Sequence, residues 1–250
     1  MEQKVGLPLT NEYAKRYYDT QVGPLESYTQ DRWHSSPVRA FEYRQTKRAL
    51  EEALGNRTYG RALEVGPGDG VWTELIKSKV TGPLYLVEQS QEMLKRAQAR
   101  FTGMEGISFE HSDFQASNPP GENDLIAAIR CFEYFDDKPG ALAKMRTLLA
   151  PGGRIIIITK NAKLITTASS QNQTLHSDQL TRSDMQSLAR QAGLTIEHTY
   201  PAVLRWKAAF APMRVLFDVA HRIAVWSHGA LVVPFLTERA TESYVYVMRA

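Results

Sequence analysis

Short apolar runs alternate along this chain with segments of helical periodicity. The runs are rich in aliphatic and β-branched residues and lie between turn residues, which is typical of strands buried in a parallel sheet. Seven such runs occur: Ala62–Val65, Leu84–Val87, Ile107–Glu110, Asp124–Ile129, Arg154–Thr159, Thr195–Tyr200 and Ser243–Met248. The alternation predicts an α/β fold in which helices cover both faces of a mostly parallel, seven-stranded sheet.

Helices are predicted where apolar residues recur at helical spacing and capping residues precede them. They are Val38–Leu54, Trp72 to about Lys79, a helix capped by Ser90, Pro139–Leu149, and a helix that Ser183 caps and that ends at Gln191. With 250 residues, the chain is expected to form a single domain over residues 1–250. Its parts are N-terminal helices over 1–55, a core over 61–160 and a helical insert over 202–240.

The insert is unusually apolar. In the predicted helix Pro212–Trp226, the residues Arg214, Asp218, His221 and Arg222 form one polar stripe, and most of the remaining surface is apolar. Three interpretations stay open for residues 202–236: a lid over an apolar substrate, a homodimer surface, or a peripheral membrane contact. A membrane-surface helix usually carries more Lys and Arg than this stripe does.

A glycine turn follows the first predicted strand, with the sequence Glu64-Val65-Gly66-Pro67-Gly68-Asp69-Gly70. A strand that passes through such a turn into a helix presents backbone N–H groups to a polar ligand. The spacing lacks the third glycine of a dinucleotide fingerprint and the Gly-Lys-Ser/Thr of a P-loop. The Glu64 carboxylate would repel phosphate and attract an ammonium group. The turn therefore predicts a zwitterionic, cationic cofactor.

This turn closely resembles motif I of the class I S-adenosylmethionine (SAM)-dependent methyltransferases. Three later segments resemble the same family: Glu88–Leu94, Phe132–Asp137, and the Pro-Gly-Gly stretch before Ile155. The resemblance covers about residues 61–194. It implies SAM as the cofactor and a Rossmann-like sheet with an antiparallel last strand. It also implies an N-terminal helical lid over the cofactor and a helical insert before the last strand.

Cofactor contacts are carried over from the family by position. Glu64 and the glycine backbone would hold the amino-acid part of SAM, Glu88 the ribose, and Asp113 the adenine amino group. Met93 would cover the adenine or simply pack in the core, and Phe114 would stack on the ring or pack. The full predicted set is Glu64, Gly66, Pro67, Gly68, Gly70, Glu88, Gln89, Met93, Asp113, Phe114, Arg130 and Cys131.

The residues that would bind the methyl acceptor are less clearly marked in the sequence. Tyr134 stands where the family frequently has a histidine, and a tyrosine is a poorer base near neutral pH. The candidates for a general base are His34, His176 and Tyr134, with Glu133 weaker. The predicted substrate-binding residues are Tyr17, Tyr28, Glu133 and Tyr134.

Composition adds limits rather than a function. A net charge of +3 makes no case for a nucleic-acid partner. The single cysteine excludes an internal disulfide and a cysteine zinc cluster, and we expect no metal site. With no apolar signal region at the N-terminus, a cytoplasmic protein is expected.

The predicted activity is methyl transfer from SAM to an O, N or C nucleophile of a small organic metabolite, apolar if the insert forms a lid. The reaction would be an in-line displacement. The alternatives are a nicotinamide-dependent oxidoreductase on a similar sheet and a non-catalytic SAM-binding module.

Overall fold

The computed structural model describes residues 10–22, 24–163, 179–205, 211–231 and 240–250. Seven strands form one sheet in the order β3-β2-β1-β4-β5-β7-β6. The strands are β1 Ala62–Val65, β2 Leu84–Glu88, β3 Ile107–His111, β4 Asn123–Ile129, β5 Leu149–Lys160, β6 Thr195–Leu204 and β7 Thr241–Arg249. Strands β1 to β5 pair in parallel, and β7 is antiparallel to both β5 and β6. The predicted fold class is confirmed.

The helices have the following bounds: α1 Thr10–Tyr17, α2 Pro37–Leu54, α3 Thr73–Lys77, α4 Gln91–Arg100, α5 Lys138–Thr147, α6 Arg182–Gln191 and α7 Ala211–Trp226. Two π-helical segments, Tyr18–Val22 and Gln30–His34, and a 3-10 turn, Phe132–Tyr134, complete the described elements. Residues 18–22 directly continue α1, and residues 10–36 together are called the N-terminal arm below.

Strand periodicity divides the core into two layers, because successive side chains point to opposite faces of a sheet. In β5, Ile156 and Ile158 pack in a cluster with residues of α2, α3 and α7. Ile155 and Ile157 pack in a second cluster with residues of α5 and α6. All four isoleucines are fully buried. Burial on both faces explains why this run shows no polar alternation in the sequence.

The capping prediction is confirmed at Ser90, whose hydroxyl accepts a hydrogen bond from the Met93 N–H at 3.2 Å. It is wrong at Ser183. The cap is Thr181, two residues earlier, so helix α6 begins at Arg182, and Thr181 forms a reciprocal capping box with Asp184. A Thr with an acid three residues later satisfies two backbone N–H groups, whereas Ser183 would leave the first of them unsatisfied.

Helix α7 turns two residues of its polar stripe, Asp218 and His221, toward the protein. Arg48 of α2 pairs with Asp218 at 2.9 Å, and the buried His221 donates from Nε2 to the Ala202 carbonyl of β6 at 3.0 Å. Burial lowers the pKa of His221 to about 4, so the ring is neutral. Large apolar side chains lie exposed instead: Val215, Leu216, Val219, Ile223 and Trp226.

That exposure is what the homodimer and membrane-contact interpretations of the insert require. Within the described ranges, no helix combines the length and apolar character needed to cross a bilayer.

The sheet order places a crevice beside the glycine turn. Strand β1 connects outward to β2, whereas β4, on the other side of β1, neighbours β5. In open α/β sheets, ligands bind at the carboxyl ends of the strands where the order reverses in this way. The turn after β1 and the 3-10 turn after β4 both lie at that point.

Candidate active site

The glycine turn after β1 approaches the end of β4 closely. Gly66 has φ +64° and donates its N–H to the Val87 carbonyl at 2.8 Å. A Cβ at Gly66 would lie 2.7 Å from the Cβ of Cys131. Gly68, with φ +60°, has open space where its Cβ would be, so its backbone is accessible to a ligand.

Gly70, the third glycine of the turn, packs against an aromatic ring. Its φ is +83°, and a Cβ there would lie 2.5 Å from the ring of Phe101, at the end of α4. Gly70 does not line the cavity described below. Its missing side chain permits close packing of Phe101 on the turn, and the structure does not bring Gly70 to the cavity.

Two buried carboxylates flank the turn. Glu64 is 1% exposed, and its Oε2 atom makes no hydrogen bond to the described residues, although the Thr73 hydroxyl lies near the carboxyl group. Burial raises the pKa of Glu64 to about 8. Glu88 accepts hydrogen bonds from the Gly68 N–H at 3.0 Å and the Ser90 N–H at 2.8 Å, and burial raises its pKa too. Glu88 therefore fixes the turn as well as facing the cavity.

A cavity of about 360 Å³ extends from this turn to the N-terminal arm. The predicted cofactor residues that line it are Gly66, Pro67, Gly68, Glu88, Gln89, Met93, Phe114, Arg130 and Cys131. Glu64 lies beneath the turn. Asp113 does not line the cavity, because the Gln115 N–H (2.6 Å) and the Asn11 side-chain amide donate to its carboxylate. Its neighbour Ser112 does line the cavity.

The structure brings all four predicted substrate-binding residues, Tyr17, Tyr28, Glu133 and Tyr134, to the same cavity. It does not bring His34 there. That side chain is exposed, with its ring 5.1 Å from the ring of Tyr43. His176 lies outside the described residues.

Polar contacts fasten the N-terminal arm over the turn. Asp19 accepts hydrogen bonds from the Ser90 hydroxyl at 2.7 Å and the Glu92 N–H at 3.3 Å, at the start of α4. Thr29 donates to Asp69 within the turn, and Asn11 donates to Asp113 after β3. Sequence reasoning missed Asn11 and Asp19, because nothing in a local pattern distinguishes one arm side chain from another.

Three tyrosines form the wall opposite the turn. The hydroxyls of Tyr18 and Tyr134 are 3.3 Å apart, and both Tyr28 and Tyr134 lie edge-on to the Tyr18 ring. Burial raises the pKa of each hydroxyl further above its ordinary value. Tyr134 is therefore a neutral hydrogen-bond donor near pH 7, and the general-base role predicted for it gains no support from its surroundings.

A buried ion pair holds the end of β4. Arg130 donates to both carboxylate oxygens of Glu242, at 2.5 and 2.8 Å, and both side chains are less than a tenth exposed. Arg130 also has φ +65°, a conformation that costs a non-glycine residue about 1 kcal/mol or more. The pair fixes this strained residue beside the glycine turn, so Arg130 lines the cavity with a guanidinium already committed to Glu242.

These residues fit a cofactor with a cationic amino-acid end and an aromatic ring. An unpartnered carboxylate oxygen of Glu64 lies beneath an open glycine backbone, and the apolar side chains of Met93 and Phe114 line the other end of the crevice. No phosphate-binding element accompanies them. The fold and the site thus define a SAM-binding α/β protein.

Comparison with known proteins gives the same class of protein. The model of a family described as a methyltransferase domain matches residues 38–199, and the chain belongs to this family, within the class I SAM-dependent methyltransferases. Its cofactor is SAM, which supplies an electrophilic sulfonium methyl group. The nicotinamide alternative is thereby set aside.

Among curated relatives, the chain is 26% identical over 124 residues to malonyl-[acyl-carrier protein] O-methyltransferase 2 of Ilyobacter polytropus, covering 47% of this chain and 48% of the relative. The chain spans about half the length, or less, of the curated relatives it matches.

Among solved structures, the N-methyltransferase NodS of Bradyrhizobium japonicum WM9, in complex with S-adenosylhomocysteine, superposes with a TM-score of 0.61 at 15% identity, covering 96% of this chain and 98% of NodS. The [4+2]-cyclase SpnF superposes with a TM-score of 0.64 at 18% identity, covering 98% of each chain. At such identities the likeness shows the fold alone.

Glu64 gives a first testable prediction. At pH 7 its carboxyl holds a proton, because its pKa is about 8. An ammonium group nearby favours the ionised form, so binding of S-adenosylhomocysteine should release about one proton. Calorimetric titration in buffers of different ionisation enthalpy measures this number. Glu64→Gln should abolish the release, whereas the exposed Glu74→Gln should keep it. Equal release from wild type and Glu64→Gln would contradict this assignment.

Proposed function

We propose that this protein moves a methyl group from SAM to an O, N or C nucleophile of a small organic acceptor. One observation carries the proposal. The cavity that begins at the glycine turn continues under the N-terminal arm into a space walled by Tyr17, Tyr18, Tyr28 and Tyr134. An aromatic-walled space of this size that also carries polar groups is typical of a small-molecule site.

The described residues act mainly by positioning and by excluding water. In the in-line step, a bond forms between the acceptor nucleophile and the methyl carbon, the carbon–sulfur bond breaks, and S-adenosylhomocysteine leaves. The arm, fastened at Asp113, Ser90 and Asp69, would hold the acceptor against the turn and close the site from solvent. The hydroxyls of Tyr18 and Tyr134 would orient the acceptor by donating hydrogen bonds.

Bases are few in the described cavity lining: Glu133 accepts a hydrogen bond from the Thr159 hydroxyl at 3.1 Å, and Lys160, with a pKa of about 8, is mostly protonated at neutral pH. No histidine is among the described residues that line the cavity. The Cys131 thiol donates to the Val65 carbonyl at 3.0 Å, and burial raises its pKa, so it stays protonated. This favours an acceptor whose nucleophilic atom already has a free lone pair and needs no deprotonation before it attacks, such as a neutral amine or a carboxylate.

The direct test is an acceptor screen with methyl-labelled SAM. Release of S-adenosylhomocysteine, together with transfer of label to an organic product, is the expected result. Tight binding of S-adenosylhomocysteine with no release in the presence of any acceptor would contradict methyl transfer and favour a SAM-binding module without this activity.

Tyr134 supplies a sharper test within the same screen. Because its hydroxyl stays protonated, Tyr134→Phe should lower kcat by about tenfold or less, the effect of one lost hydrogen bond. Loss of a general base would instead cost about 100-fold or more. Tyr85→Phe is a matched control, since the Tyr85 hydroxyl binds Glu110 away from the cavity. A 100-fold loss in Tyr134→Phe alone would make Tyr134 the base after all.

A further inference from the structure

Three arginines converge on one carboxylate beside the acceptor end of the cavity. Glu42 of α2 is 2% exposed, and it pairs with Arg205 at 2.7 Å and with Arg39 at 3.1 Å. Arg32 of the N-terminal arm approaches the same carboxylate, at 3.8 Å. One carboxylate compensates one of these three charges, so positive charge remains in excess here.

Arg32 is held in place but not satisfied. Its guanidinium carbon lies 4.1 Å above the ring of Trp33, a residue that is 3% exposed. Its Nη1 atom is buried and has no hydrogen-bond partner among the described residues. A guanidinium N–H without an acceptor in a half-buried place is costly unless a ligand supplies the acceptor. Arg32 lines the cavity, so a bound acceptor molecule can reach it.

Lys160, at the end of β5, adds a further cation to the same lining. Burial lowers its pKa to about 8, and the charges of Arg130 and Arg32 act in the same direction. Glu242, which also binds two nitrogens of Arg130, and Glu133 act in the opposite direction. Lys160 therefore lies within electrostatic reach of Arg32 and Arg130, and Arg32, Arg39 and Lys160 line the same cavity.

The charge balance of this region is positive. Over the described residues just named, together with Glu133 after β4, five cationic side chains stand against three carboxylates. Among the described residues, three other carboxylates line the cavity: Asp31 is exposed, where water and salt screen its charge, Asp69 pairs with Arg100 at 3.3 Å, and Glu88 accepts hydrogen bonds from two backbone N–H groups. A partly buried excess of positive charge of this kind is stabilised by a ligand of opposite sign.

We propose that the acceptor carries a carboxylate group and that Arg32, Arg39 and Lys160 bind it. The planar fork of an arginine matches a carboxylate, and a lysine adds a compact point charge. The tyrosine-walled space beside these cations would hold the organic part of the molecule. This inference rests on the proposed function and narrows its substrate class to organic anions.

Matched probes test the inference on the protein saturated with S-adenosylhomocysteine. Straight-chain carboxylates from acetate to octanoate, and benzoate, are each titrated beside the corresponding primary amide by calorimetry or ligand-observed NMR. At least one carboxylate should bind about tenfold or more tightly than its amide, the effect of a charged hydrogen bond. Arg32→Gln and Lys160→Gln should each reduce this preference about tenfold while leaving amide binding unchanged.

Arg44→Gln is the control, since Arg44 lies exposed on α2 and does not line the cavity. This variant should keep the wild-type preference for a carboxylate over its amide. Arg32→Lys preserves the positive charge and should keep part of that preference, which separates the effect of lost charge from misfolding. Equal binding of carboxylates and amides, binding of no carboxylate, or an unchanged preference in both glutamine variants would overturn the inference.

The two proposals fail separately. Methyl transfer confined to neutral acceptors would leave the proposed function standing and overturn only the carboxylate. Carboxylate binding without methyl transfer to any acceptor would support the carboxylate site and overturn the proposed function.

Discussion

Gly66→Ala should abolish measurable binding of S-adenosylhomocysteine and lower the free energy of unfolding by about 3 kcal/mol. The new Cβ would lie 2.7 Å from the Cβ and 2.9 Å from the Sγ of Cys131. Neither atom is the end of a flexible chain, and moving the thiol breaks its hydrogen bond to the Val65 carbonyl. The backbone of the turn must shift instead, and with it the surface that meets the cofactor.

Gly103→Ala is the matched control for backbone strain. Gly103 has φ +78°, close to the +64° of Gly66, but nothing lies within 4 Å of the Cβ it would gain. Gly103→Ala should therefore lower the free energy of unfolding only by the strain of a left-handed residue, about 1 kcal/mol, and leave binding of S-adenosylhomocysteine intact. Calorimetry and urea unfolding measure both quantities. Similar losses in the two variants would show that strain, and not the contact with Cys131, decides the result.

Glu242→Gln should be the most destabilising of the charge changes considered, at about 3–5 kcal/mol. It leaves Arg130 buried without a counter-charge, with Lys160 as a like-charged neighbour. Replacing both partners, as in Arg130→Met with Glu242→Leu, removes the buried charge altogether and should restore part of the loss. Glu51→Gln, which breaks the exposed Lys47–Glu51 pair of α2, should cost less than about 0.5 kcal/mol.

The same pair predicts a pH dependence. Burial alone would raise the pKa of Glu242, but Arg130 outweighs burial and holds it far below the ordinary value of 4.5. The stabilisation is therefore present above about pH 4.5 and is lost as the pH falls further. Urea unfolding of wild type and Glu242→Gln should give converging stabilities as the pH is lowered from 6 to about 3. A difference that stays constant over this range would contradict the assignment.

Much of the fold and of the cofactor side could be predicted from the sequence because their signals are local. A β-branched run such as Arg154–Thr159 indicates a buried strand wherever it occurs, and the structure places those residues in β5. Ser90 precedes its helix at capping distance. The turn from Gly66 to Gly68 and the acid Glu88 follow their strands directly, and parallel strands bring those ends together.

Features that depend on distant partners could not be predicted in this way. Gly70 resembles a cofactor glycine, but the ring of Phe101 occupies the space beside it. Asp113 has its carboxylate bound by Asn11, a residue 102 positions earlier. In the polar stripe of α7, Asp218 pairs with Arg48, 170 positions earlier, and His221 binds a carbonyl of β6.

By itself, the sequence determined the α/β sheet, the glycine turn and the class of cofactor, because hydrophobic period and turn chemistry act over a few neighbouring residues. The tertiary structure alone decided how the groups beyond the cofactor turn are arranged. It set the N-terminal arm against the turn, made Tyr134 a neutral donor, and gathered Arg32, Arg39 and Lys160 beside Glu42 and Glu242. Those groups come from separate elements of the chain, and only folding brings their charges within reach of one another.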